Sequence, residues 1–161
     1  MYKNISQIFL SNSDQEIPSF IKSTSSSLDK IFKDHTKIIY DNRMLIDFIK
    51  LYFDKDVLLA FKKLKPLVFK ADLARYCLLY KLGGWYFDIA IRCIRRYDIP
   101  EETDLLCFRD EQRHSKTSWA VCNGIIWSRS KNIIHYKSIE KIIRNCRTNW
   151  PWPSVYSYVV T

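Results

Sequence analysis

Only three glycines occur in the 161 residues, and two of them, Gly83 and Gly84, are adjacent. They stand between two segments of different periodicity. Before them, Leu67–Leu82 carries the strongest helical pattern in the chain, and Pro66 suits the start of a helix. After them, Trp85–Ile94 alternates with the period of a strand. Glycine reaches positive φ without steric cost and so ends helices. A helix stopped by Gly-Gly and followed at once by an apolar strand is the centre of an α/β unit, and the rest of the chain must fold around it.

The flanking segments agree. Asn4–Leu10 reads as a first strand, and Asn12, Ser13 and Asp14 as a loop. Pro18–Lys33 reads as a helix weakened, or broken, by the run Ser23–Ser27, whose hydroxyls compete for the backbone. Lys37–Tyr40 is a short strand, and Asp41-Asn42 is a turn that can cap the next helix. Met44–Leu51 and Asp54–Leu64 are helices. Leu105–Phe108 and Ala120–Ser128 are strands, and Ile133–Cys146 is a closing helix. Strands alternating with helices predict a three-layer α/β/α domain. A length of 161 residues argues for one domain, 1–161. With 47% hydrophobic residues it can bury a core. No apolar run approaches the roughly 18–20 residues of a membrane span, and the first ten residues lack a signal peptide's core. Five cysteines, an odd number without a C-x-x-C pair, argue against a disulfide framework or zinc site. A cytoplasmic location is therefore expected. The net charge of +9 favours anionic partners.

Chemistry concentrates around the Gly-Gly pair. At about 100° per residue, Lys70 and Lys81 fall within about 20° of each other and form a solvent face. Asp72 and Arg75 lie on another flank, about 60° apart, among Leu, Phe, Tyr and Ala. Charged groups there are costly to bury without partners. They are either a structural i,i+3 ion pair or part of a site. In the strand after the glycines, Trp85, Phe87, Ile89, Ile91 and Cys93 point one way. Tyr86, Asp88, Ala90 and Arg92 point the other. Asp88 is the lone acid there, just beyond the bend, where α/β sheets hold ligands.

The run from Lys70 to Asp88, K-A-D-L-A-R-Y-C-L-L-Y-K-L-G-G-W-Y-F-D, resembles the signature of sugar transferases that carry a DXD motif. The closest group is glycosyltransferase family 32 with its capsular-polysaccharide relatives, and more distantly the clostridial glucosylating toxins. Asn4–Leu10 is similar to that family's opening strand, and Asn123-Gly124-Ile125-Ile126 to a later segment. The resemblance implies a GT-A fold, a Rossmann-like nucleotide-sugar-binding domain. It also implies transfer of a hexosyl group, with retained configuration, from a UDP- or GDP-sugar to a glycan or lipid-linked acceptor. A divalent cation, Mn2+ or Mg2+, is the implied cofactor. By the same resemblance Asp88 is the catalytic carboxylate and a metal ligand. Asp72, Arg75, Gly83, Gly84 and Tyr86 surround the donor sugar. Gln7, Ser11 and Asn12 lie near the nucleotide, and Asn123 and Gly124 on the acceptor side.

Two departures bear on this. The family's second Asp is Ala90 here, and a methyl group coordinates nothing. Three answers stay open: cations such as Arg92, Arg95 or Arg96 replace the metal, a carboxylate such as Asp110 or Glu111 supplies the ligand, or the chain is a weakened or inactive homologue. The family fold is also expected to continue beyond Thr161, so this chain reads as lacking a C-terminal portion, with an apolar edge that favours self-association. Peripheral membrane association would suit a lipid-linked acceptor, although no amphipathic anchor is evident.

Other residues fit structural roles better. His35, His114 and His135 have no ligand spacing, and Cys77 and Cys93 lie on apolar faces. Trp150 and Trp152 suit core packing more than ring stacking. The rival function is a basic module gripping nucleic acid or an acidic membrane. It lacks any nucleic-acid fold signature, and no nucleic acid is expected as partner.

Overall fold

The computed structural model describes residues 2–11, 16–110 and 120–148. The described residues hold ten elements: β1 (Asn4–Ile8), α1 (Ser19–Ile31), β2 (Thr36–Tyr40), α2 (Asn42–Tyr52), α3 (Lys55–Lys63), α4 (Leu67–Leu82), β3 (Gly84–Phe87), β4 (Leu105–Arg109), β5 (Val121–Ser128) and α5 (Ile133–Arg147). The five strands form one sheet in the order β2-β1-β3-β5-β4. β1 runs parallel to both β2 and β3, whereas β5 pairs antiparallel with β3 and β4. The mixed sheet and its helices make an α/β fold.

Side-chain alternation sorts the sheet into two buried layers. Ile8, Tyr86 and Ile126 face the layer of α2, α3, α4 and α5, together with Leu45, Phe61, Leu73 and Ile139. Ile5, Trp85, Phe87 and Trp127 face the other layer, with Leu28 and Phe32 at α1. Every residue of α4 from Leu73 to Leu79 is buried. A helix enclosed on all sides in this way is apolar around its circumference, and any charge it carries needs a partner.

Local chemistry sets the element boundaries. Asp41 caps α2 by accepting from the Met44 amide at 2.7 Å, and Asn132 caps α5 through Ile134 at 2.9 Å. Asp54, expected inside a helix, is the cap of α3, accepting from the Asp56 and Val57 amides. Gly83 and Gly84 take φ of 65° and 80°. A Cβ on Gly84 would stand 2.6 Å from the Asn4 carbonyl oxygen, so the turn needs glycine for both conformation and space.

Two expectations are corrected. The serine run does not break α1, because its hydroxyls bond back within the helix: Thr24 to the Phe20 carbonyl at 3.0 Å, Ser26 to Ser23 at 2.8 Å and Ser27 to Thr24 at 2.7 Å. The strand expected to reach Ile94 ends at Phe87. Pairing with β1 stops at Tyr86, and the last bond to β5 runs from the Asp88 amide to the Gly124 carbonyl at 2.8 Å. Without further ladder partners the chain turns, and the Ile91 amide bonds the Asp88 carbonyl at 3.0 Å. The shared face inferred for Asp88, Ala90 and Arg92 therefore does not extend past Asp88.

Candidate functional site

Asp72 and Arg75, one turn apart on α4, meet Asp88 where β3 ends. Arg75 Nη2 donates to Asp88 Oδ1 at 3.0 Å. Its Nη1 lies 2.9 Å from Asp72 Oδ1, an ion pair set off the N–H direction. The Tyr86 hydroxyl donates to the same Asp88 oxygen at 2.8 Å, and the guanidinium sits 4.7 Å from the centre of the Tyr86 ring. Only 4% of the Arg75 side chain is exposed, against 17% for Asp72 and 41% for Asp88. The arrangement is graded: a buried cation at the back, two acids reaching outwards.

The electrostatics follow from that burial. Desolvation alone would lower the Arg75 pKa, but Tyr86 and the two carboxylates outweigh it, and the guanidinium is held above its ordinary value. Desolvation raises the Asp72 carboxyl, with Arg75 opposing and Asp88 adding to the rise. Burial also raises the Tyr86 hydroxyl, which stays protonated as a donor. Two carboxylates and one guanidinium leave the cluster a net acceptor, suited to hydroxyl groups.

These groups open into a cleft of about 540 Å³, within the range of small-molecule sites. Its apolar wall comes from Ile8, Phe9 and Leu10 at the end of β1 and from Leu67, Val68 and Phe69 at the start of α4. Sequence reasoning missed that wall. The available signal was Pro66, which begins α4 beside the cleft and leaves Val68 64% exposed. Arg75 is the one cation among the described lining residues.

Asn123 lines the same cleft. It arrives there because the β4–β5 ladder jumps register between Cys107, opposite Ile126, and Phe108, opposite Cys122. The irregularity leaves Asn123 and Gly124 out of the β4 ladder, and the Gly124 carbonyl accepts from the Asp88 amide just beyond β3. A Cβ on Gly124 would stand 2.8 Å from Asp88 Oδ2, so glycine is what lets that carboxylate lie where it does.

Other expected residues lie elsewhere. Gly83 and Gly84 are at the opposite end of β3, roughly 13 Å along the strand from Asp88. They pack against Tyr2, Asn4 and Ser130, so they do not shape the cleft floor. Gln7 is fully buried in the α1-facing layer; it accepts from Ser25 Oγ at 2.5 Å and donates to the Asp88 carbonyl at 3.4 Å. It supports Asp88 from behind instead of facing the cleft. Ser11 comes directly after the lining residue Leu10 and is half-buried. Asn12, Glu111, His114, Trp150 and Trp152 fall outside the described residues. Ala90 lines the cleft, and none of Arg92, Arg95 and Arg96 does. Among the described residues no three His, Cys, Asp or Glu gather as a metal site. His135 is buried in α5, stacked on Tyr76 at 5.8 Å.

The family model described as a glycosyltransferase sugar-binding region containing a DXD motif matches residues 2–106. The solved structure titled PaToxG Glycosyltransferase superposes with a TM-score of 0.72 at 15% identity. The alignment covers 98% of this chain and 65% of that one, so the present chain spans somewhat under two thirds of its length. At that identity the likeness concerns the fold alone. No match was found among curated proteins.

Proposed function

Because this chain belongs to the family of glycosyltransferases with a DXD-type sugar-binding region, we propose that it binds a UDP- or GDP-sugar in the cleft at Asp88 and transfers the hexosyl group with retained configuration. The acceptor is a glycan or lipid-linked sugar in polysaccharide synthesis of the capsular type. The reaction takes place in the cytoplasm, at the membrane surface when the acceptor is lipid-linked, and residues 1–161 act as one catalytic domain. The observation that carries this reading is the convergence of Asp72, Arg75, Tyr86 and Asp88 in one cleft at the carboxyl ends of parallel strands. Asp72 and the exposed oxygen of Asp88 accept hydroxyls of the donor, and Arg75 fixes both acids. The apolar wall from Ile8 to Leu10 and Leu67 to Phe69 offers the nucleotide base a dry face.

Family members generally bind a divalent cation, and such a cation takes about six oxygen ligands. Here Asp88 Oδ1 is already engaged by Arg75 and Tyr86, and Ala90 offers a methyl group. The described residues do not make a cation site by themselves. That mismatch favours a second reading, a chain that binds nucleotide-sugar but transfers it weakly or not at all.

Calorimetric titration with UDP-glucose and GDP-mannose, with and without Mn2+, tests both. Binding of either donor supports the cleft assignment, and binding of neither removes it. Asp88→Asn abolishes transfer, and full activity in that variant contradicts the catalytic assignment. Asp72→Ala weakens nucleotide-sugar more than free nucleotide; equal losses would count against a sugar contact. Binding without turnover in the wild type selects the second reading.

A further inference from the structure

The segment that leaves β3 at Asp88 is tied to α1 at two points, once through Gln7 and once directly, and to the residues just after α1 at a third. Ser25 Oγ donates to Gln7 Oε1 at 2.5 Å, and Gln7 Nε2 donates to the Asp88 carbonyl at 3.4 Å. Lys37 Nζ closes this chain from β2, reaching the Ser25 hydroxyl and carbonyl at 3.0 Å each and Asp29 Oδ2 at 2.7 Å. Further along the segment, the Cys93 amide donates to Ser27 Oγ at 2.9 Å. Beyond it, Arg96 pairs with Asp34 at 2.9 Å, with its guanidinium 5.7 Å from the Phe32 ring centre.

Burial makes these contacts informative. Gln7 is 0% exposed and Ser25 1%, in a layer otherwise built from Ile5, Leu28, Phe32, Trp85 and Phe87. An apolar pair would fill that space without the cost of desolvating an amide and a hydroxyl. What the polar pair adds is direction: its one bond outside β1, α1 and β2 goes to the backbone of Asp88. Ser27 does the same for Cys93. Between these anchors lies the exposed turn carrying Ala90. On the opposite side the Gly124 carbonyl holds the Asp88 amide.

We infer that Ser25 and Ser27 of α1, with Gln7 and Lys37, form a clamp that sets the backbone of residues 88–93 and so aims the Asp88 carboxylate at Arg75, Tyr86 and the cleft. These are positioning residues, acting through Asp88 without touching a ligand. The serine run is thereby part of the site and not a flaw in the helix. The clamp's role in catalysis rests on the donor-binding reading above; its role in ordering the turn does not.

The test uses the full chain with Ser27→Ala, Ser27→Thr and Gln7→Leu. Amide exchange monitored by NMR and the carbon-13 shift of the Asp88 carboxylate are read without ligand, and UDP-glucose binding is read separately. Ser27→Ala is expected to speed exchange at Cys93 by about tenfold or more while β3 amides keep their rates. Gln7→Leu moves the Asp88 carboxylate signal. Where wild type binds UDP-glucose, both variants weaken it by about tenfold, and Ser27→Thr, which keeps the hydroxyl, restores it. Unchanged Cys93 exchange and Asp88 signal would overturn the clamp. So would a uniform rise in exchange across the sheet with a lowered melting temperature, which marks a merely structural role. Absence of both UDP-glucose and GDP-mannose binding in wild type strikes the donor reading alone, since the ligand-free signals still decide the clamp.

Discussion

At the scale of single residues, the site depends on what is absent as much as on what is present. Gly124 has no side chain, and Asp88 Oδ2 occupies the room, 2.8 Å from where a Cβ would be. Gly124→Ala should push the carboxylate away from Arg75 and weaken donor binding or turnover by about 10- to 100-fold. The stability loss should stay within about 2 kcal/mol. Titration beside a urea curve checks this, and an unaffected site with a collapsed fold would contradict it. His135 gives a second prediction. Burial pushes its ring from the ordinary 6.5 down to about 4, so the native state keeps it neutral where the unfolded chain takes up a proton. The stability tied to the neutral ring is fully present above pH 6.5 and is lost as the pH falls towards 4, by roughly 3 kcal/mol. Denaturation curves across that window should be steeply pH-dependent in wild type and flatter in His135→Phe.

At the scale of elements, the turn between α4 and β3 has no substitute. With φ of 80° at Gly84 and the Asn4 carbonyl 2.6 Å from a Cβ, Gly84→Ala should cost more than about 2 kcal/mol. It should do so far from Asp88, so donor affinity in the surviving folded fraction should stay near wild type, as a titration at reduced temperature would reveal. Helix and turn signals were legible in the chain itself: Pro66, the Gly-Gly pair and the cap Asp41 act locally. The length of β3 was not, since the apolar alternation runs on to Cys93. What ends the strand is the loss of partners in β1 and β5, a tertiary fact. The same holds for Gln7. A period of two says that it opposes Ile8, but only the packing of α1 and α4 decides which layer faces the cleft.

At the scale of the whole molecule, β3 is the hinge between two kinds of pairing, parallel on one side and antiparallel on the other. Among the described strands β1, β3 and β5 are flanked on both edges, while β2 and β4 stand at the edges. Amides of β1, β3, β5 and the Leu73–Leu79 stretch of α4 should therefore exchange slowest, and those of β2 and β4 fastest. Comparable rates in all five strands would contradict this order of stability. The acids and the arginine were legible because their motif is contiguous, Asp72 to Asp88. The cleft's apolar wall was not, because it joins the end of β1 to the start of α4, with α1, β2, α2 and α3 between them in the sequence.

One consequence belongs to descent. Ala90 is exposed and lies in a turn, outside every strand and helix, so the fold exerts little pressure on which side chain stands there. Alanine and aspartate codons can differ by a single base. A lineage with this architecture can therefore exchange alanine and aspartate at this position by one point mutation, all the while inheriting the scaffold intact. Ala90→Asp is the change of charge that such a turn admits most readily.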